Sequence, residues 1–86
     1  MLVLEVFLGA RSIGRVWWDD GWMTLRIDEP EERAAFLRRL GGPLSRQDSS
    51  DEVRFRPEGM TPGAFEEACA AVAAERGLRL APRPSP

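Results

Sequence analysis

The residues of this chain that could take part in catalysis are carboxylates and one thiol. Three adjacent acidic pairs stand out, namely Asp19–Asp20, Glu31–Glu32 and Glu66–Glu67, and Cys69 is the only cysteine. Paired carboxylates can act as general acid and base, and a thiol can act as a nucleophile. Both chemistries need further catalytic side chains nearby, such as a base for the nucleophile. Whether the sequence contains those residue types therefore decides whether an enzyme is predicted.

The sequence lacks the residue types that usually complete such sites. It contains no His, Lys, Tyr or Asn, so the usual base for a cysteine or serine nucleophile and the usual Schiff-base residue are missing. One cysteine can form neither an intrachain disulfide nor a zinc cluster. We therefore predict a protein that is not an enzyme, with no catalytic residue, no cofactor and no metal site. The same absences, together with abundant Arg and Ala, fit a GC-rich bacterial genome.

The carboxylates and the thiol have simpler structural explanations. Both glutamate pairs fall in the first turn of a predicted helix, where the helix dipole favours negative charge. Asp19–Asp20 fits a turn, while Asp48, Asp51 and Glu52 match no calcium-loop pattern. Cys69 belongs to the apolar stripe of a predicted helix, so we expect a small buried core residue there.

Composition and charge limit the class of protein further. Apolar residues make up 43% of the 86 residues and charged residues 30%, which is typical of a globular domain. No apolar run reaches the roughly 18 residues of a membrane span. Twelve Arg against fourteen acidic residues give a net charge of -2, unlike the basic balance of most nucleic-acid binders. These features predict a cytoplasmic protein with no membrane contact.

The predicted elements are those of a single small α+β domain over residues 1–81. Residues 2–8, 13–19 and 22–27 are rich in strand-forming side chains and predict three strands. Asp20–Gly21 lies between the last two strands and is typical of a type I′ hairpin turn. The first part of the chain is therefore predicted to be an antiparallel three-stranded meander.

A helix and a long polar segment follow the meander. Asp28 and Glu31 have the spacing of a capping box, and the predicted helix runs to about Leu40 before Gly41 ends it. Residues 41–52 predict a polar loop, which is either a solvated linker or a functional loop.

The rest of the chain predicts a short strand, a second helix and a terminal segment. Val53–Arg56 alternates in polarity, and Thr61–Pro62 has the residues that begin a helix. Residues 78–80 predict a final short strand, parallel to the strand at residues 53–56 if the crossover is right-handed. Residues 82–86 are Pro-rich and predict a disordered tail.

The hairpin turn also predicts which side chains share a face of the sheet, because the turn sets the register of its two strands. With Asp19 opposite Trp22, one face is almost entirely apolar and should contact the helices. Its members are Val16, Trp18, Met23, Leu25 and Ile27, joined by Leu2, Leu4, Val6 and Leu8 of the first strand.

The opposite face, called the outer sheet face below, carries aromatic rings beside arginines. Trp and Arg are enriched in interface hot spots, and an exposed patch of several such side chains usually marks an interaction site. The predicted contact residues are Phe7, Arg15, Trp17, Trp22 and Arg26. Arg54 and Arg56 predict a second, basic stripe, which Arg79 joins if the final strand is their neighbour.

Four explanations of the outer sheet face remain open at this point. The loop, the final strand or the tail could cover it as part of the core. A second copy of the chain could cover it or pair with a sheet edge, a different protein could bind it, or single-stranded nucleic acid could stack on its rings. We predict a protein-interaction or assembly module, with a single-stranded nucleic-acid binder as the alternative.

Overall fold

The strands and helices follow one another in the predicted order. The computed structural model describes residues 1–42 and 52–83. Its elements are β1 (Leu2–Leu8), β2 (Arg11–Asp19), β3 (Trp22–Ile27), α1 (Pro30–Leu40), β4 (Glu52–Phe55), α2 (Pro62–Arg76) and β5 (Arg79–Arg83). The strands form one antiparallel sheet in the order β4-β3-β2-β1-β5. The predicted α+β fold with its N-terminal meander is confirmed.

The β2–β3 hairpin has the predicted turn and register. Asp20 and Gly21 both have positive φ, 51° and 85°, as a type I′ turn requires. The two strands pair from Asp19 opposite Trp22 to Gly14 opposite Ile27. The division of their side chains between two faces therefore follows the prediction.

The final strand contradicts the prediction of a parallel partner at residues 53–56. β5 pairs antiparallel with β1, from Phe7 opposite Arg79 to Val3 opposite Arg83, and β4 lies at the other edge. A helix of 15 residues is about 22 Å long, whereas edge strands four spacings apart are separated by about 19 Å. The length of α2 thus suits a connection from one edge of the sheet to the other.

The prediction of a disordered tail from residue 82 is wrong for its first two residues. β5 continues through Pro82 and Arg83, which we predicted to be disordered. Proline cannot donate a ladder hydrogen bond, but an edge strand needs partners on one side only, so it tolerates proline. The other tail residues, 84–86, and residues 43–51 of the predicted loop lie outside the described residues.

The two helices begin by different means. Thr61 caps α2 as predicted, since its side chain accepts a hydrogen bond of 3.1 Å from the backbone N–H of Ala64. α1 does not use Asp28 as its cap. Glu29 occupies that position without a side-chain capping bond, and Pro30 starts the helix. Both helices end at the predicted glycines, Gly41 and Gly77.

The core lies between the helices and the inner face of the sheet. Its fully buried aromatic rings come from the helices, Phe36 from α1 and Phe65 from α2. The sheet side of the core includes the predicted Val6, Val16, Met23, Leu25 and Ile27, while Leu2, Leu4 and Trp18 are partly buried against it. Leu8 was expected on this face but is 38% exposed at the end of β1.

A bulge in β2 explains a core residue that strict alternation misses. Val6 pairs with Gly14 and Phe7 pairs with Ser12, so Ile13 is the extra residue between them. A bulge changes the direction of the side chains beside it, and Ile13 is buried to 1% exposure. The Ile13 carbonyl accepts a 2.8 Å hydrogen bond from the Asp28 N–H, which ties the bulge to the start of α1.

Neither of the two described helices combines the length and the apolar composition that a membrane-crossing helix needs.

Candidate interaction surface

The outer sheet face is the side of the sheet opposite the two helices, and all five strands contribute to it. Its side chains form rows across the sheet, because residues that are paired in register lie on the same face. The central row runs from Arg83 through Val3, Trp17 and Thr24 to Arg54. The next row runs from Ala81 through Glu5, Arg15 and Arg26 to Glu52.

The five predicted contact residues all lie on this face. Arg15 and Arg26 are exposed and directly opposite each other. Trp22 is 36% exposed, and Phe7 and Trp17 are half-buried. Their placement on one face agrees with the prediction, and their role as contact residues stays a prediction.

Three arginines lie over aromatic rings of the outer sheet face. The guanidinium carbon of Arg54 is 4.5 Å from the ring centroid of Trp22, and that of Arg56 is 5.9 Å from it. Near the opposite edge of the same face, the guanidinium carbon of Arg79 is 4.2 Å from the ring centroid of Phe7. Within about 6 Å a cation is attracted to the ring face, so these contacts favour defined positions for the three guanidinium groups.

The predicted basic stripe is divided between the two edges of the sheet. Arg54 in β4 and Arg56 just after it share the ring of Trp22, but Arg79 is in β5 and lies over Phe7. The expected grouping of Arg79 with Arg54 and Arg56 is therefore wrong. The cause is the pairing of β5 with β1, which places Arg79 at the far edge.

Glu5 is the buried acidic side chain of this face. It is 7% exposed and forms an ion pair with Arg83 of the neighbouring strand. The pKa of Glu5 is lowered by a hydrogen bond from the Ser12 side chain above all, and further by Arg83 and Arg15, against the opposing effect of burial. These groups favour the charged form of Glu5 in the folded protein.

We expect the stabilising effect of Glu5 to disappear in acid. A carboxyl whose pKa is lowered by folding stabilises the folded state above the pKa of the unfolded chain, here 4.5, and loses this effect as the pH falls through the folded pKa. Urea unfolding of wild type and Glu5→Gln from pH 7 to pH 3 should show a difference in unfolding free energy that narrows below pH 4.5. Ser12→Ala and Arg83→Gln should each make this pH dependence smaller, because each removes a group that lowers the pKa of Glu5. A difference that stays constant with pH would contradict this account.

The charges of the molecule are segregated. The outer sheet face, counted together with Arg56 just after β4, carries six arginines and three acidic side chains. Its net charge is +3, whereas the whole chain carries -2. The arginines are Arg15, Arg26, Arg54, Arg56, Arg79 and Arg83, and the acidic residues are Glu5, Asp19 and Glu52. The other described residues carry five arginines and nine acidic side chains, a net charge of -4.

The arginines also differ in how they are paired. Away from the outer sheet face, Arg11 pairs with Glu29 at 2.7 Å, and Arg76 pairs with Glu32. On the face, Arg83 pairs with Glu5. The other five arginines of the face make no ion pair within 4.0 Å to any carboxylate that the structure describes.

The residues that suggested catalysis lie in the β2–β3 turn and on the two helices. Glu31 and Glu32 lie in the first turn of α1 as predicted, and Glu32 is paired with Arg76. The prediction is wrong for Glu66 and Glu67, which lie beyond the first turn of α2 because that helix begins at Pro62. Residues 1–42 and 52–83 contain no group of three or more His, Cys, Asp or Glu side chains that could hold a metal ion. Cys69 is fully buried in α2.

The Cys69 thiol should be inert in the folded protein. Burial, with a smaller effect from Glu66, raises the pKa of Cys69 to about 12, and the thiolate is the reactive form. We expect Ellman's reagent at pH 8 to label Cys69 only at the rate of unfolding, and to label it within seconds in 6 M guanidinium chloride. Fast stoichiometric labelling of the native protein would contradict the buried placement.

Two parts of this surface could not be found from the sequence. Arg83 and Ala81 join the outer sheet face only because β5 pairs with β1, and the ion pair between Glu5 and Arg83 spans 78 positions. The one available signal was the alternation of Arg79, Ala81 and Arg83, which places the three on one face of any strand. The pattern does not say which strand they join.

No protein-family model, curated protein or solved structure matches this chain.

Proposed function

We propose that this protein is a non-catalytic interaction module that binds another protein through its outer sheet face. The observation that supports this most is the composition of that face. Trp17, Trp22 and Phe7 lie among arginines on a sheet surface, while both described helices pack on the other side. A solvated face of an antiparallel sheet is normally polar, whereas Trp and Arg are the residues that dominate binding hot spots.

Self-association through this face is the weaker version of the proposal. In a two-fold dimer the same patch meets itself, so a face of net charge +3 would meet another of +3. Like charges brought together at an interface oppose binding. A sheet edge is the other surface for assembly, but β4 has four residues and β5 contains Pro82. A different protein therefore suits the outer sheet face better than a second copy does.

Single-stranded nucleic acid is the second candidate, favoured by one observation. A basic surface with Trp17 and Trp22 on it combines the two elements that bind single strands, phosphate neutralisation and base stacking. The segregation of charge makes this candidate stronger than the net charge of -2 suggests.

We also propose a cytoplasmic location, where a single reduced cysteine is common.

The proposal is tested by comparing wild type with Trp17→Asp. Size-exclusion chromatography with light scattering, over a wide concentration range, first separates self-association from binding to other proteins. Affinity capture from a lysate of the source organism then identifies proteins that bind to immobilised wild type and do not bind to immobilised Trp17→Asp. Each candidate is purified and its direct binding is measured by calorimetry.

The matched control is Ala70→Asp on the exposed surface of α2, which adds the same charge on the helix side. We expect a monomer whose partner binds wild type and Ala70→Asp equally and Trp17→Asp at least tenfold more weakly. If every captured protein binds Trp17→Asp as well as wild type, the outer sheet face is not the binding surface and the proposal is wrong.

A further inference from the structure

We infer that the partner presents a cluster of aspartate and glutamate side chains to the outer sheet face. This inference rests on the proposed function and names the chemistry of the partner. It starts from the five arginines of the face that have no carboxylate within 4.0 Å among the described residues. Of these, Arg15 and Arg26 are directly opposite each other in β2 and β3.

Arg15 and Arg26 place two guanidinium groups side by side at the centre of their row. Like charges opposite each other on neighbouring strands oppose each other. Glu5 lies opposite Arg15 and Glu52 lies opposite Arg26 on the outer strands of the row, and Glu5 is also paired with Arg83. A carboxylate from a partner, placed over the centre of the row, would contact both guanidinium groups.

The aromatic contacts at two of the three rings favour an acidic protein over a nucleic acid. Base stacking needs an open ring face, but Arg54 and Arg56 lie over the ring of Trp22, and Arg79 lies over that of Phe7. In each case the ring supports a guanidinium group. A guanidinium group over a ring still carries N–H donors, and their planar fork matches a carboxylate.

The spacing of these groups describes an extended acidic surface. Arg54 of β4 and Arg79 of β5 lie on the two opposite edge strands, about 19 Å apart by strand spacing alone, with Trp17 of β2 between these edges. A single carboxylate cannot reach both edges. The partner must therefore place several carboxylates around a site that contacts Trp17.

The test is an NMR titration of the whole protein with three probes. The first is a 16-residue peptide of alternating Glu and Ser, the second is the same peptide with Gln for Glu, and the third is oligothymidylate of 15 nucleotides. The Nε–Hε signals of the arginines report directly on guanidinium contacts. Each titration is run at 20 mM and at 200 mM NaCl.

We expect the Glu peptide to shift the Nε–Hε signals of Arg15, Arg26 and Arg54, and to bind at least tenfold more weakly at the higher salt concentration. The Gln peptide should cause no shift. The double variant Arg54→Gln/Arg56→Gln should weaken binding of the Glu peptide at least fivefold. Arg38→Gln/Arg39→Gln, which removes the same charge from α1, should change it less than twofold.

Three results would overturn the inference. The first is that oligothymidylate binds to this face and the Glu peptide does not. In that case the face would still be a binding surface, but its ligand would be a nucleic acid. Another is equal binding of the Glu and Gln peptides. The third is no binding of any probe at 20 mM NaCl, which removes the acidic partner but leaves the capture experiment with Trp17→Asp to decide the proposed function. As a control, each variant must give a dispersed amide spectrum, which is the sign that it is folded.

Discussion

Gly14→Ala should destabilise the protein by at least about 3 kcal/mol, the upper end of the usual range for single substitutions. Gly14 is the residue after the bulge in β2 and has φ of 148°. A Cβ at this position would lie 1.9 Å from the carbonyl oxygen of Arg26. Because that oxygen belongs to the backbone of the paired strand, relief of the contact requires the strands to move apart.

Gly9→Ala is the matched control for this prediction. Gly9 also has a positive φ, 64°, but an added Cβ would meet no atom within 4 Å. This substitution should cost only the 1–2 kcal/mol or so of left-handed backbone strain. Thermal and urea unfolding of both variants measures the difference. Equal losses would mean that strain alone accounts for Gly14 and that the close approach of β3 is not present.

The second large effect is a contrast between two tryptophans of opposite faces. Trp18 packs against the core on the inner face, so Trp18→Ala should cost about 3 kcal/mol, in the range for large core truncations. Trp22 is 36% exposed and contacts Arg54, so Trp22→Ala should cost about 1 kcal/mol, the scale of a partly exposed cation–π contact. Urea unfolding measures both values.

The contrast tests whether the outer sheet face is a binding surface or a second core. If Trp22→Ala and Trp17→Ala each lost 3–5 kcal/mol or so, as buried aromatic residues do, these rings would serve stability and the proposed function would lose its main support. Trp18→Phe adds a control on the inner face. The Trp18 Nε1–H is buried without a hydrogen-bond partner among the described residues, so loss of this donor should cost little.

The parts of the fold that the sequence predicts are those with local signals. Asp20–Gly21 is next to both strands that it connects, and its turn type sets their pairing residue by residue. Thr61 is three residues from the N–H that it caps. These features depend on neighbours in the chain, so a short stretch of sequence is enough to predict them.

The parts that were missed depend on distant contacts. The bulge at Ile13 arises from the pairing of β2 with β1. The hairpin register predicts Gly14 opposite Ile27, but it does not predict how closely the Arg26 carbonyl oxygen approaches Gly14. The partner of β5 is separated from it by more than 70 positions, and no local pattern chooses between two open edges. The contact residues of the meander were therefore predictable, whereas the contribution of Arg79 and Arg83 was not.

The two edges of the sheet have a consequence for behaviour at high concentration. An exposed edge strand is a template for fibril growth, and natural sheets protect it with short length, charge or proline. β4 has only four residues, with the charged Arg54 among them, and β5 has Arg79 and Arg83 around Pro82. We therefore expect that continuous sheets do not grow from either edge.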